Sequence, residues 1–181
     1  MKDMDKTVDR LIRAIESSEK IMILGDYDVD GTTSVSMLYD YFKKKTLDPI
    51  YYIPDRYKEG YGVSDESIDF AEENNVSLLI TIDCGIKAND KIESANTKGI
   101  DVIICDHHIP DNSIPKAYSI INPNQNKCDY PFKGLCGCGI GFKLISAIEK
   151  KMGGDENVNQ YLDLVAIATI ACLLYTSDAA D

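Results

Sequence analysis

At 181 residues and 44% apolar composition, the chain is long enough to bury one proper core and is not composed like a disordered segment. Its formal net charge of −11 argues against a surface that grips a phosphate backbone along a long track, but not against a site where clustered carboxylates hold cations that meet phosphate. No apolar run approaches the roughly 20 residues of a membrane-spanning helix, and the charged start from Met1 to Lys6 leads into no signal-peptide core, so a cytoplasmic protein with no membrane partner is expected.

Val8, Leu11, Ile12 and Ile15 recur at helical spacing and predict an amphipathic helix over residues 5–19. The short apolar run Ile21-Met22-Ile23-Leu24 reads as a buried strand, ending in Asp26-Tyr27-Asp28-Val29-Asp30-Gly31. Val35, Leu38, Tyr39 and Phe42 predict a second helix, with Thr32, Thr33 or Ser34 as its cap. Residues 50–53 form the next strand, followed by a loop from Pro54 to Gly62 that carries Arg56 and Gly60-Tyr61-Gly62. Ser64, with Asp65 and Glu66 behind it, is a helix start.

A third strand spans Val76 to Ile82 and runs into Asp83-Cys84-Gly85. A polar helix over about 87–98 ends at Gly99, and a fourth strand from Asp101 to Cys105 runs into Asp106-His107-His108. Residues 109–137 read as one long polar loop rich in Pro, Asn and Gly, of the length that is more often functional than filler. Helices follow over 139–150 and from about 158. Helices alternating with short β-branched strands predict an α/β fold: a mostly parallel sheet with helices on both faces.

The six cysteines contain no CxxC pair, so neither a disulfide framework nor a zinc ribbon is expected, and Cys136-Gly137-Cys138 alone lacks the four ligands of a thiolate site. The acidic residues are more informative. Asp26, Asp28 and Asp30 follow the first strand, Asp83 the third, and Asp106, His107 and His108 the fourth. Each Asp alone could be a turn residue or a helix cap, Asp30-Gly31 especially. In an open parallel sheet, however, strand ends share one edge, so these clusters converge. Carboxylates gathered in this way repel unless cations neutralise them. Carboxylate with neutral imidazole suits Mn, Zn or Fe, and paired metals about 3.5–4 Å apart are a recurrent device for phosphoester hydrolysis.

The segments at 26–34 (Asp-Tyr-Asp-Val-Asp-Gly-Thr-Thr-Ser), 81–85 (Thr-Ile-Asp-Cys-Gly) and 106–108 (Asp-His-His) resemble the DHH phosphoesterases. They are most similar to the RecJ branch, the bacterial 5′→3′ single-strand-specific DNA exonucleases. Residues 53–62, Ile121-Asn122-Pro123-Asn124-Gln125 and 130–144 extend the similarity, which runs from about residue 18 to 171. The resemblance implies a Rossmann-like DHH domain over 1–171 and a hydrolase that releases 5′-mononucleotides from single-stranded DNA during repair and recombination. It implies that Asp28, Asp30, Asp83, His107 and His108 are catalytic metal ligands, with Asp83 bridging two Mn²⁺ (or Mg²⁺) ions. Asp26 is a further candidate ligand, and Asp106 orients the histidines. Arg56 would meet a DNA phosphate, and the glycine run with Gly137 and Gly139 would let backbone approach the nucleic acid. Helicase and single-strand-binding-protein partners are family expectations.

Two departures qualify the resemblance. Cys172 stands where the family places another metal-binding Asp, and residues 172–181 resemble nothing in the family, which predicts a non-native tail. RecJ proteins also continue far beyond this length, so the chain is expected to be a truncated catalytic lobe with weak or no exonuclease activity alone. Alternative readings are a DHH phosphodiesterase of small substrates (cyclic dinucleotides, very short RNA, pyrophosphate) and a non-catalytic replication scaffold. A Rossmann nucleotide binder lacks its G-x-G-x-x-G after the first strand.

Overall fold

The computed structural model describes residues 1–45, 48–154 and 157–178, with side chains as far as 173. In chain order the elements are α1 (Met4–Glu16), β1 (Ile21–Gly25), α2 (Val29–Lys44), β2 (Ile50–Tyr52), α3 (Asp65–Glu73), β3 (Leu78–Ile82), α4 (Asn89–Thr97), β4 (Asp101–Cys105), β5 (Ser119–Ile121), α5 (Gly137–Met152), a 3₁₀ turn (Val158–Tyr161) and α6 (Leu162–Asp178). The five strands form one sheet in the order β2-β1-β3-β4-β5. Every pairing is parallel.

The strands are continuous apolar runs because both faces of the sheet are covered. Side chains alternate strictly between two cores. Ile21, Ile23, Leu78, Ile80, Ile82, Ile103, Cys105 and Ile121 face α1, α2, α5 and α6. Met22, Leu24, Leu79, Val102, Ile104 and Ile120 face α3 and α4. A register slip of one residue would exchange the two sets, so this burial pins the register.

The strand order reverses direction at β1, because β2 lies on one side of it and β3 on the other. Loops leaving the carboxyl ends of β1 and β3 therefore diverge and leave a crevice at that switch point. The loops after β1, β3 and β4 carry the acidic clusters, so topology alone brings residues 26–30, 83 and 106–108 to one edge.

The structure differs from the sequence reading in three places. Residues 109–137 are not one unbroken loop, since Ser119–Ile121 add strand β5. Three residues between Pro115 and Pro123 are too few to show a strand period. Helix α2 is capped by Asp28, whose side chain accepts the Gly31 N–H, and not by Thr32, Thr33 or Ser34, which lie within the helix. The final helix begins as a 3₁₀ turn, and α6 runs on past Cys172 to Asp178, while residues 179–181 of the expected tail lie outside the described residues. Helix α3 starts as expected, at Ser64, with a reciprocal pair of bonds to Ser67.

Candidate metal centre

Asp30 sits in the first turn of α2 and is 4% exposed. Its carboxylate is gripped by the start of another helix: the Gly137 N–H donates to Oδ2 at 2.7 Å and the Cys138 N–H to Oδ1 at 2.8 Å. An ionised carboxylate at a helix N-terminus also gains from the helix dipole. Such a close approach needs a residue without a side chain. A Cβ on Gly137 would lie 2.6 Å from Cβ of Asp83, and one on Gly31 would lie 2.2 Å from the Asp26 carbonyl oxygen. Gly137 and Gly139, expected to face nucleic acid, are both buried, and the approach that Gly137 permits is to Asp83.

Asp83 leaves β3 in the left-handed region, at φ 62°, which is strained for a residue with a side chain. Two bonds hold this turn. The Asp83 N–H donates to the Cys105 carbonyl at 2.9 Å, and the Tyr61 hydroxyl donates to the Asp83 carbonyl at 2.8 Å. His107 Nε2 lies 3.0 Å from Asp83 Oδ1 and 3.7 Å from Asp30 Oδ2. The 3.0 Å contact lacks hydrogen-bond geometry, and Asp83 Oδ1 has no hydrogen-bond partner among the described residues. Two donor atoms about 3 Å apart match one edge of an octahedron whose ligands stand about 2.1 Å from a common ion.

Asp106 is 1% exposed and directed at its neighbours. Its carboxylate accepts the N–H groups of Ile86 (2.9 Å) and His108 (3.1 Å) and lies 2.7 Å from His108 Nδ1. A carboxylate can only accept, so Nδ1 carries the proton, which leaves Nε2 as the nitrogen that could bind a metal ion. The Asn122 and Asn124 side-chain amides donate to the carbonyls of His108 (2.9 Å) and His107 (2.6 Å), which fixes the backbone of the pair from β5.

The electrostatics call for a cation. Burial, and then the charges of Asp30 and Asp28, push the Asp83 carboxyl up to about 10. Burial and the Asp28 charge also raise Asp26, against the amides of Tyr27 and Gly62 that favour its ionised form, and Asp26 Oδ1 has no partner among the described residues. Burial likewise pushes Asp106 upward, but the hydrogen bonds and charge of His108 and the Ile86 amide outweigh it, leaving Asp106 below the usual carboxylate range. The Asp106 hydrogen bond raises His108.

Two sets of donor atoms each converge within 4.8 Å, Asp83–His107–His108 and Asp30–His107–Cys172, and they share His107. Neither set includes Asp26 or Asp28, which border them from the β1 loop. The imidazole and carboxylate donors with orphaned buried oxygens fit a divalent transition-metal ion such as Mn²⁺. Arg56 is exposed, with its guanidinium 5.3 Å from the centre of the Tyr27 ring, beside the Asp26–Asp28 loop.

Sequence reasoning did not assign roles to Tyr61, Asn122, Asn124 or the Cys138 amide. The segments 53–62, 121–125 and 130–144 that extend the similarity contain all four, without assigning them a role.

Residues 20–169 match the model of the DHH family, N-terminal domain. The single-stranded-DNA-specific exonuclease RecJ of Bacillus subtilis is 44% identical over 178 residues, 98% of this chain and 22% of that protein. The RecJ of Escherichia coli is 36% identical over 179 residues, 93% of this chain and 31% of that protein. The chain thus spans less than a third of the length of these relatives. A crystal structure of exonuclease RecJ bound to manganese superposes with a TM-score of 0.86 at 31% identity, over 94% of this chain and 43% of that one. RecJ of Thermus thermophilus in complex with Mn²⁺ gives 0.81 at 27% identity, over 94% and 24%. With the motifs on the expected strand ends and the same fold around them, the chain belongs to the DHH family and is homologous to the RecJ exonucleases over their N-terminal catalytic lobe.

Proposed function

We propose that this chain is the metal-binding half of the active site of a phosphoesterase that hydrolyses single-stranded DNA from the 5′ end and releases 5′-mononucleotides. The observation that carries the reading is the pair of donor sets sharing His107, with a buried Asp83 oxygen that no described residue satisfies. The RecJ relatives are named for single-stranded DNA, and two of their structures hold manganese, which supports substrate and ion.

In this reading Asp30, Asp83, His107 and His108 hold two divalent ions, and Asp28 and Asp26 complete the negative wall. Such ions supply Lewis acidity to the phosphoryl group and make hydroxide available near neutral pH. The protein supplies placement. The α5 amides fix Asp30, Asp106 fixes the His108 ring, Asn122 and Asn124 fix the histidine backbone, and Tyr61 fixes the strained Asp83 turn. Arg56 stands at the rim as an anchor for a backbone phosphate. Cys172 takes the place of a hard oxygen ligand in the second set, so this chain alone is expected to be a weak catalyst.

The test is Mn²⁺ titration calorimetry on this chain and on Asp83→Ala. Binding that the variant loses supports the reading. A folded wild-type chain that binds no Mn²⁺, and still binds none as Cys172→Asp, would overturn it.

A further inference from the structure

Beside the metal centre lies a hollow of about 750 Å³ that shares only His108 with the two donor sets. Its near wall is Asp106 and His108, its lip is Tyr61, and its far side is the β3–α4 connection with Ile86, Ala88 and Asn89, facing Ser113. The volume is within the range of about 300–1,000 Å³ typical of small-ligand sites.

Its rim lysines each face a carboxylate. Lys91 pairs with Asp65, and Lys87 lies 3.8 Å from Asp111. Asp90 adds a further carboxylate. What remains suits a flat, neutral, heteroaromatic ring. The half-exposed Tyr61 ring and the partly exposed Ala88 give apolar surface, and Asn89, whose amide reaches the Ser113 carbonyl at 3.5 Å, and the Ser113 hydroxyl give hydrogen-bonding groups for a ring edge. Tyr61 is held in place by its bond to the Asp83 carbonyl and stands edge-on to His108, with ring centres 5.9 Å apart. Base–aromatic stacking tolerates every base, as an enzyme that degrades arbitrary sequence requires.

We propose that this hollow receives the base of the nucleotide whose phosphate meets the metal centre, between the Tyr61 ring and the Ile86–Asn89 connection. The proposal rests on the phosphoesterase reading and adds to it a subsite for the departing nucleotide, so that the product is recognised by its base as well as its phosphate.

Calorimetry on the whole chain in Mn²⁺ tests it with two probes that share a sugar phosphate and differ in the base, dAMP and 2-deoxyribose 5-phosphate. dAMP is expected to bind at least tenfold more tightly. Ser113→Trp, on an exposed loop, and independently Ala88→Phe, fill the hollow. Each should bring dAMP down to the affinity of 2-deoxyribose 5-phosphate while leaving that affinity, and Mn²⁺ binding, unchanged. Equal affinities in the wild-type chain, or a dAMP preference that survives both substitutions, would overturn the base subsite alone. Binding of neither probe in the presence of Mn²⁺ would overturn the phosphoesterase reading and the subsite together.

Discussion

Asp30 and Gly137 lie 107 positions apart in sequence and are joined by a 2.7 Å hydrogen bond from the Gly137 amide, at a place so tight that a Cβ on Gly137 would lie 2.6 Å from Cβ of Asp83. Two candidate ligands from different strand ends thus take their positions from one glycine.

Gly137→Ala places a methyl 2.6 Å from the Asp83 Cβ. Either α5 retreats and loosens Asp30, or Asp83 is displaced. The expected cost is about 1–3 kcal/mol of stability, together with a clear loss of Mn²⁺ affinity. Urea melts and calorimetry read the two effects. Unchanged Mn²⁺ binding would mean that the contact does not position the ligands.

Asp106→Asn keeps the shape of the side chain and removes the charge that holds the His108 ring. Loss of such a partner to a metal-binding histidine typically weakens metal affinity by about 10–100-fold. The same titration checks it, and the fold should persist because the Ile86 amide can still donate to the Asn oxygen. Wild-type affinity in this variant would remove Asp106 from the account.

Burial, followed by the charges of Asp30 and Cys136, pushes the Cys172 thiol up to about 11, so it is neutral at pH 7. Cys172→Asp supplies a charged oxygen in its place and should tighten Mn²⁺ binding by about tenfold, the order of one charge-assisted contact. Without metal, the added carboxylate repels Asp30. Chelation by EDTA should therefore lower the Tm of the variant more than that of the wild type. Equal Tm shifts would argue that residue 172 does not reach the ion.

Arg10, 6% exposed, donates to Glu19 through both terminal nitrogens (3.0 and 2.7 Å) and to Asp101 through Nε (2.8 Å). The Arg10 hydrogen bond, opposed by burial, holds the Glu19 carboxyl below its usual 4.5. A depressed carboxyl contributes stability that is full above its unfolded value and is lost as the pH falls through the folded one. Glu19→Gln should therefore cost about 1.5–3 kcal/mol at pH 7, and the gap to wild type should narrow below about pH 4. Denaturant melts at the two pH values provide the check.

The sheet was legible because each long strand is buried on both faces, which makes Ile21–Leu24 and Val102–Cys105 uninterrupted apolar runs. Convergence of Asp30, Asp83 and His107 followed from parallel strands ending at one edge, and their 3.0 and 3.7 Å separations agree with it. Strand β5 escaped because three residues cannot display a period. The cap of α2 was misplaced because three hydroxyl residues, Thr32 to Ser34, follow the aspartate that does the capping. Tyr61, Asn122 and Asn124 escaped for another reason. Their partners are backbone carbonyls, and a sequence does not show which carbonyl a loop will bring near.

The grip of α5 on Asp30 also has a consequence for how the protein is made. A nascent chain that has emerged only as far as His108 already carries Asp26, Asp28, Asp30, Asp83 and both histidines, yet the amides that hold Asp30 belong to residues still to be translated. Until Gly137 and Cys138 arrive, the carboxylates stand unfastened. The centre is thus completed only once α5 has begun to form, and an ion captured earlier would meet an unfinished set of ligands.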